Sequence, residues 1–141
     1  IFGWALSAFD PIAIDRSAGR QAVKQLLKEG ISWLEQGRLV IIFPEGTRVA
    51  PGERRSYGIG GAVLAARSGR PVVPVAHNAG LFWGRRSFKK YPGVIDLVIG
   101  PQIPSQGRRA EDINRDAEAW IEGMVAQLSE GRSFPEQNRL G

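Results

Sequence analysis

Apolar residues recur along this chain with two different periods. Between residues 19 and 36, Val23, Leu26, Leu27, Ile31 and Leu34 fall three and four apart, which predicts a helix with one core-facing stripe. Ser17 or Gly19 leads in, Gly37 is a suitable stop, and Trp33 reads as core. Gly30 lies inside and weakens a helix by ~1 kcal/mol relative to alanine, so two shorter helices are the alternative. The same period returns from Ala110 to Leu128, through Ile113, Ala117, Trp120, Ile121, Met124, Val125 and Leu128. Glu111, Asp112 and Asp116 sit near the positive end of that helix dipole. A shorter helix is predicted from Gly60 to Ser68, with Val63 and Leu64 buried and Gly69-Arg70-Pro71 ending it.

Four runs have strand character instead. Ile12-Ala13-Ile14 is short; Leu39-Val40-Ile41-Ile42 is branched and uninterrupted, as a strand buried on both faces should be. Val72 to Ala76 is a third, in which Pro74 demands an edge or a bulge. Val94 to Ile99 is a fourth, with Asp96 on one face and Gly100-Pro101 closing it. Helices and strands alternate, so the expected class is α/β: a single domain with a mixed, mostly parallel sheet flanked by helices. The domain is expected to span residues 1–131, with 132–141 a loose polar tail.

Composition narrows the chemistry. The chain has 141 residues, one histidine and no cysteine, which excludes disulfides and thiol catalysis and leaves little for a metal site. No apolar run reaches the ~18 residues needed to span a bilayer. The net charge is +5, from 19 basic and 14 acidic residues, and suits a phosphate-bearing ligand, an anionic membrane or nucleic acid. The opening Ile1-Phe2-Gly3-Trp4-Ala5-Leu6 is apolar and lacks an initiator methionine, so the chain reads as a fragment whose natural start lies upstream. Residues 1–9 then read as the tail of an amphipathic or membrane-apposed helix, broken by Asp10-Pro11.

The densest chemistry follows the Leu39–Ile42 run. Phe43-Pro44-Glu45-Gly46-Thr47-Arg48 sets a carboxylate, a glycine, a hydroxyl and a guanidinium at the tip of a predicted strand, where α/β sheets bind ligands. Arg48 has the fork that suits phosphate or carboxylate, and Glu45 can accept from substrate hydroxyls or orient the arginine. The plainer alternative is a surface turn with an internal Glu–Arg pair. Asp15-Arg16, ending the Ile12–Ile14 run, repeats the arrangement and makes Arg16 a second candidate phosphate ligand. Pro51 to Tyr57 is polar and basic, the composition of a mobile loop, with Arg54 and Arg55 read as solvated or as approaching the ligand. Gly58-Ile59-Gly60-Gly61 lacks the ending of a P-loop and is read as helix packing. Leu81 to Pro92 interleaves aromatics with Arg85, Arg86, Lys89 and Lys90, fitting an anionic lipid interface, a nucleic acid or an exposed loop.

The Phe43–Arg48 string resembles the signature block of the glycerolipid acyltransferases, above all the bacterial 1-acylglycerol-3-phosphate acyltransferases. Ile14-Asp15-Arg16 resembles the arginine-bearing block that precedes it, and Val72-Val73-Pro74-Val75 resembles a later apolar block. The resemblance runs from about Ile12 to Leu128. It implies transfer of a fatty acyl group from an acyl thioester to the free hydroxyl of lysophosphatidate, giving phosphatidate. It also implies phosphate and substrate binding by Arg16, Glu45, Gly46, Thr47 and Arg48. No metal or cofactor is implied; acyl-CoA or acyl-carrier protein is a co-substrate. The expected place of work is the cytoplasmic face of a bacterial inner membrane, on an anionic surface, peripheral or anchored through the missing start.

One part of the family pattern is missing. Its His-x-x-x-x-Asp block supplies a base for the hydroxyl. His77 is the only histidine and the fifth residue on is Phe82, so His77 is read as structural or as support near the site. The catalytic block is expected upstream, leaving this chain with the phosphate-binding half and no turnover of its own. A non-catalytic lipid-headgroup or membrane-surface module is the alternative, as is an acyltransferase acting on another glycerolipid acceptor. Nucleic-acid binding is disfavoured, because arginines at strand ends point to a compact phosphate site rather than a basic track.

Overall fold

The computed structural model describes residues 20–84 and 88–130. The chain forms two compact units, residues 1–42 and 43–141. Ile12–Ile14, Asp15 and Arg16, the opening segment, Arg85 and Arg86, and the tail lie outside the described residues.

In the first unit, α1 runs unbroken from Arg20 to Glu35. It passes through Gly30, which is buried, as is Leu26 on the same stripe. Packing of the stripe outweighs the propensity cost of one glycine. Trp33 is half-buried rather than core, with the Arg38 guanidinium 5.0 Å from its ring centre. The larger departure is the Leu39–Ile42 run. It is not a strand, and Leu39 and Ile41 are 89% and 80% exposed. A strand is made by its neighbours, and among the described residues nothing forms a ladder with this run. Its apolar character is compatible with burial but does not create the partners.

The second unit holds the described sheet, which is two-stranded and antiparallel: β1 is Val75–His77 and β2 is Leu97–Ile99. The mostly parallel pairing expected of the sheet is not seen in this pair. Parallel neighbours require a crossover, usually a helix. Among the described residues between β1 and β2, the regular element is the 3₁₀ turn Ala79–Leu81, and the two strands pair antiparallel. Val75 pairs with Ile99 and Val72 bridges Ile103, with Gly100 N–H donating to the Pro74 carbonyl at 2.8 Å. Three steps from Val72 to Val75 therefore match four from Ile99 to Ile103, a bulge opposite Pro74. The proline sits where its missing N–H does no harm.

One helix packs on this sheet and another packs on that helix. In chain order, α2 (Gly60–Ser68) buries Ala62, Leu64 and Ala65, and α3 (Ala110–Ser129) buries Ile113 completely. Each large aliphatic buried here contributes roughly 1.5–3 kcal/mol. Helix α3 packs on both α2 and β1. The Trp120 ring covers Gly100 so closely that a methyl group there would overlap it. Past the end of β1, buried Asn78 locks the sheet: Nδ2 donates to Asp96 Oδ2 at 3.1 Å, and Oδ1 accepts from the Asp96 N–H at 2.9 Å. Ser105, also buried, donates to the Arg70 carbonyl at 2.6 Å.

Candidate functional site

The residues from Pro44 to Gly58 form a loop closed at its neck. Gly58 N–H donates to the Pro44 carbonyl at 2.8 Å. Inside the loop, the first turn is closed by Gly46 N–H to the Phe43 carbonyl at 3.0 Å, the second by Glu53 N–H to the Ala50 carbonyl at 3.0 Å. Gly46 has φ of 68°, in the left-handed region, while the space beside its Cα is open. The turn therefore needs glycine for its backbone and not for lack of room. At the tip, Pro51 lies against Gly80 in the 3₁₀ turn that follows β1.

The loop encloses an open cleft of about 280 Å³, walled by Thr47 to Ala50 on one side and Glu53 to Arg55 on the other. Three arginines (Arg48, Arg54 and Arg55) and one glutamate, Glu53, line it, so the lining carries net positive charge. Thr47 adds a hydroxyl. Such a set recognises a small oxyanion: forked donors for the charge and a hydroxyl for a remaining oxygen. Arg48 also stacks on the half-exposed Trp83 ring, 5.6 Å from its centre, and Lys90 approaches the same ring at 4.7 Å.

Glu45 is half-buried behind these groups. Burial first, and then the charge of Glu122, push its carboxyl above the usual range, while His77 and Arg55 pull it down. Glu122, on α3, also accepts from Tyr57 Oη at 3.0 Å and pairs with Arg54 Nε at 3.4 Å. Burial and this hydrogen bond push the Tyr57 phenol up, so it stays protonated. His77 Nδ1 accepts from the Ala79 N–H at 3.2 Å, tying β1 to the turn beyond it.

Of the residues singled out in the sequence, Thr47 and Arg48 line the cleft, Gly46 shapes its first turn and Glu45 lies beside it. Arg16 falls outside the described residues. Tyr57 and Glu122 carry no signal in the sequence that ties them together, because residues 57 and 122 meet only through the packing of α3. Asp96 did signal itself, as a carboxylate inside an apolar run, and Asn78 is its partner.

Residues 1–78, more than half of the chain, match the family model described as Acyltransferase. The chain belongs to this family. Over 131 residues it is 47% identical to the 1-acyl-sn-glycerol-3-phosphate acyltransferase of Pseudomonas aeruginosa, covering 91% of this chain and 51% of that one. It is 37% identical over 75 residues to a chloroplastic 1-acyl-sn-glycerol-3-phosphate acyltransferase of Arabidopsis thaliana, covering 53% of this chain and 21% of the other. Among solved structures it is similar to the 1-acyl-sn-glycerophosphate (LPA) acyltransferase, PlsC, of Thermotoga maritima. The TM-score is 0.69 at 28% identity, over 76% of this chain and 45% of that one. This acyltransferase chain thus spans about half the length of the Pseudomonas relative and less than half of the Thermotoga structure. Among its described residues, no helix is long and apolar enough to cross a membrane.

Proposed function

We propose that this chain is the acceptor-phosphate half of an enzyme that acylates lysophosphatidate to phosphatidate. The observation that carries the reading is the cleft inside the Pro44–Gly58 loop. Its wall combines Thr47 and Arg48 of the family block with Arg54 and Arg55, a ready receptor for a phosphate monoester. In this reading Arg48 and its neighbours hold the lipid phosphate, and Glu45 and Thr47 accept or donate at the glycerol oxygens. Arg16 is assigned to the same phosphate on the strength of its motif. Holding a remote phosphate orients the free hydroxyl toward the thioester carbonyl.

The chemical step is an acyl transfer. The hydroxyl oxygen bonds to the thioester carbonyl carbon, the carbon–sulfur bond breaks, and the hydroxyl proton passes to a base while the thiolate leaves. Residues 1–141 contain no His-x-x-x-x-Asp block, so the reading assigns the base to sequence outside them. The step draws on no metal or cofactor; acyl-CoA or acyl-carrier protein is the donor. The acyltransferase domain is assigned to residues 1–131, with 132–141 as its tail. The fold assigned to the enzyme is α/β, with a mixed, mostly parallel sheet flanked by helices. Exposed Phe88 and half-exposed Trp83, beside Lys89 and Lys90, support work at an anionic membrane surface, on the cytoplasmic face.

The test is thiol release from an acyl thioester, with and without lysophosphatidate. It is run on the 141-residue chain and on the reading frame extended upstream. Acceptor-dependent release by the extended protein alone is expected. Robust turnover by the 141 residues would overturn the division of labour, and no turnover in either would overturn the activity.

A further inference from the structure

The cleft is the inside of a loop, so its shape depends on what grips that loop from outside. The neck hydrogen bond fixes the two ends. Between them, Trp83 lies under Arg48, and the Arg54–Tyr57 side is held by Glu122, which accepts from Tyr57 with one oxygen and pairs with Arg54 through the other. The two contacts differ in kind. Arg54 is 76% exposed, so its ion pair is weak by itself. Tyr57 is half-buried and donates to an ionised carboxylate that is only 18% exposed, the stronger sort of bond. Its raised phenol keeps that donor available throughout the working range of pH. The carboxylate itself rides on α3, a 20-residue helix packed against α2 and β1, and so is a fixed point for a loop made largely of turns.

We infer that Glu122 is a positioning residue for the anion cleft: it grips Tyr57 and Arg54 together and so presents the basic wall of the Pro44–Gly58 loop to the phosphate. This rests on the reading of the cleft as a phosphate site. It makes a prediction of unusual sign. A carboxylate that merely stood near an anion site would repel the anion, and neutralising it would tighten binding. A carboxylate that builds the site does the opposite.

The test titrates glycerol 3-phosphate into the 141-residue chain, comparing wild type with Glu122→Gln, Tyr57→Phe and the double variant. Tryptic cleavage after Arg54 and Arg55 is timed without ligand, and urea midpoints check that each variant is folded. Glu122→Gln should weaken binding about tenfold and Tyr57→Phe somewhat less, with the double variant no weaker than Glu122→Gln, because both cut one linkage. Cleavage should quicken several-fold in each variant, about as expected for a loop released to open locally. Wild-type binding that is unchanged or tightened by Glu122→Gln, or cleavage that does not quicken, overturns the role of Glu122 alone. Absence of wild-type binding overturns the phosphate reading and this inference with it.

Discussion

Arg48 lies over the indole ring of Trp83, its guanidinium carbon 5.6 Å from the ring centre. A cation over an aromatic face is attracted by the ring, and the guanidinium keeps N–H donors with which to meet an oxyanion. Lysine in this place keeps the charge but loses the fork. Arg48→Lys in the active protein should therefore cost on the order of 1.5–3 kcal/mol, roughly ten- to a hundred-fold in efficiency with lysophosphatidate. Part of the loss should fall on turnover through misorientation, and the apparent affinity for the thioester should hold. Steady-state kinetics with each substrate varied in turn decide it: a fall in donor affinity alone would move Arg48 to the donor site.

Gly46 offers a cleaner separation of backbone from contact. A methyl group there meets no atom within 4 Å, yet the φ of 68° is one that L-residues rarely adopt. Gly46→Ala should destabilise the chain by about 1–2 kcal/mol, or relax by opening the turn. Either way the cleft wall moves, and glycerol 3-phosphate affinity should fall although no ligand contact has been removed. Denaturation midpoints and titration on the same variant check both parts.

The sequence carried the helices well. The i, i+3, i+4 stripe is a local signal, and α1, α2 and α3 begin and end within a residue or two of where the stripe, Gly37 and Gly69 put them. It carried the sheet poorly. Apolar runs such as Leu39–Ile42 state only that burial is favourable, whereas pairing direction is decided by the connection. That connection returns antiparallel, and its described residues hold no α-helix. The polar packet Glu45–Arg48 was legible because its residue types and order are distinctive. Its supports, Tyr57 and Glu122, were not, since a hydrogen bond spanning 65 positions leaves no trace in local pattern.

Two carboxylates, Glu45 and Asp116, should respond to pH with opposite signs. Glu45 is held above the usual range by burial and by Glu122. Its proton stabilises the fold fully below the usual carboxylate range, and that contribution is lost as pH rises through the raised value. Asp116 is held below the usual range, chiefly by its hydrogen bond from Arg108 at 2.6 Å. Its contribution is present above the usual range and lost as pH falls through the lowered value. In urea melts across the acid-to-neutral range, Glu45→Gln should therefore gain on the wild type as pH rises, and Asp116→Asn should lose its deficit as pH falls. A Glu45→Gln curve parallel to the wild type would mean that the two states of Glu45 are equally well accommodated.

Asn78 should matter to the fold more than to the chemistry. It is 3% exposed and exchanges two hydrogen bonds with Asp96 that clamp β1 to the start of β2. Asn78→Ala forfeits both, one of them to a carboxylate, and should cost about 2–3 kcal/mol. A denaturant midpoint lowered by that amount is the expected result, with no change in the pH dependence ascribed to Glu45.

The phosphate assignment itself is best examined by amide chemical-shift mapping while glycerol 3-phosphate is added to the chain at low and moderate salt. Saturable shifts should centre on Gly46 to Ala50 and on Glu53 to Arg55, the two walls of the cleft, and weaken as salt screens the arginines. Shifts that gather instead on Trp83 and Phe88 to Tyr91, or that never saturate, would contradict a phosphate site inside the Pro44–Gly58 loop.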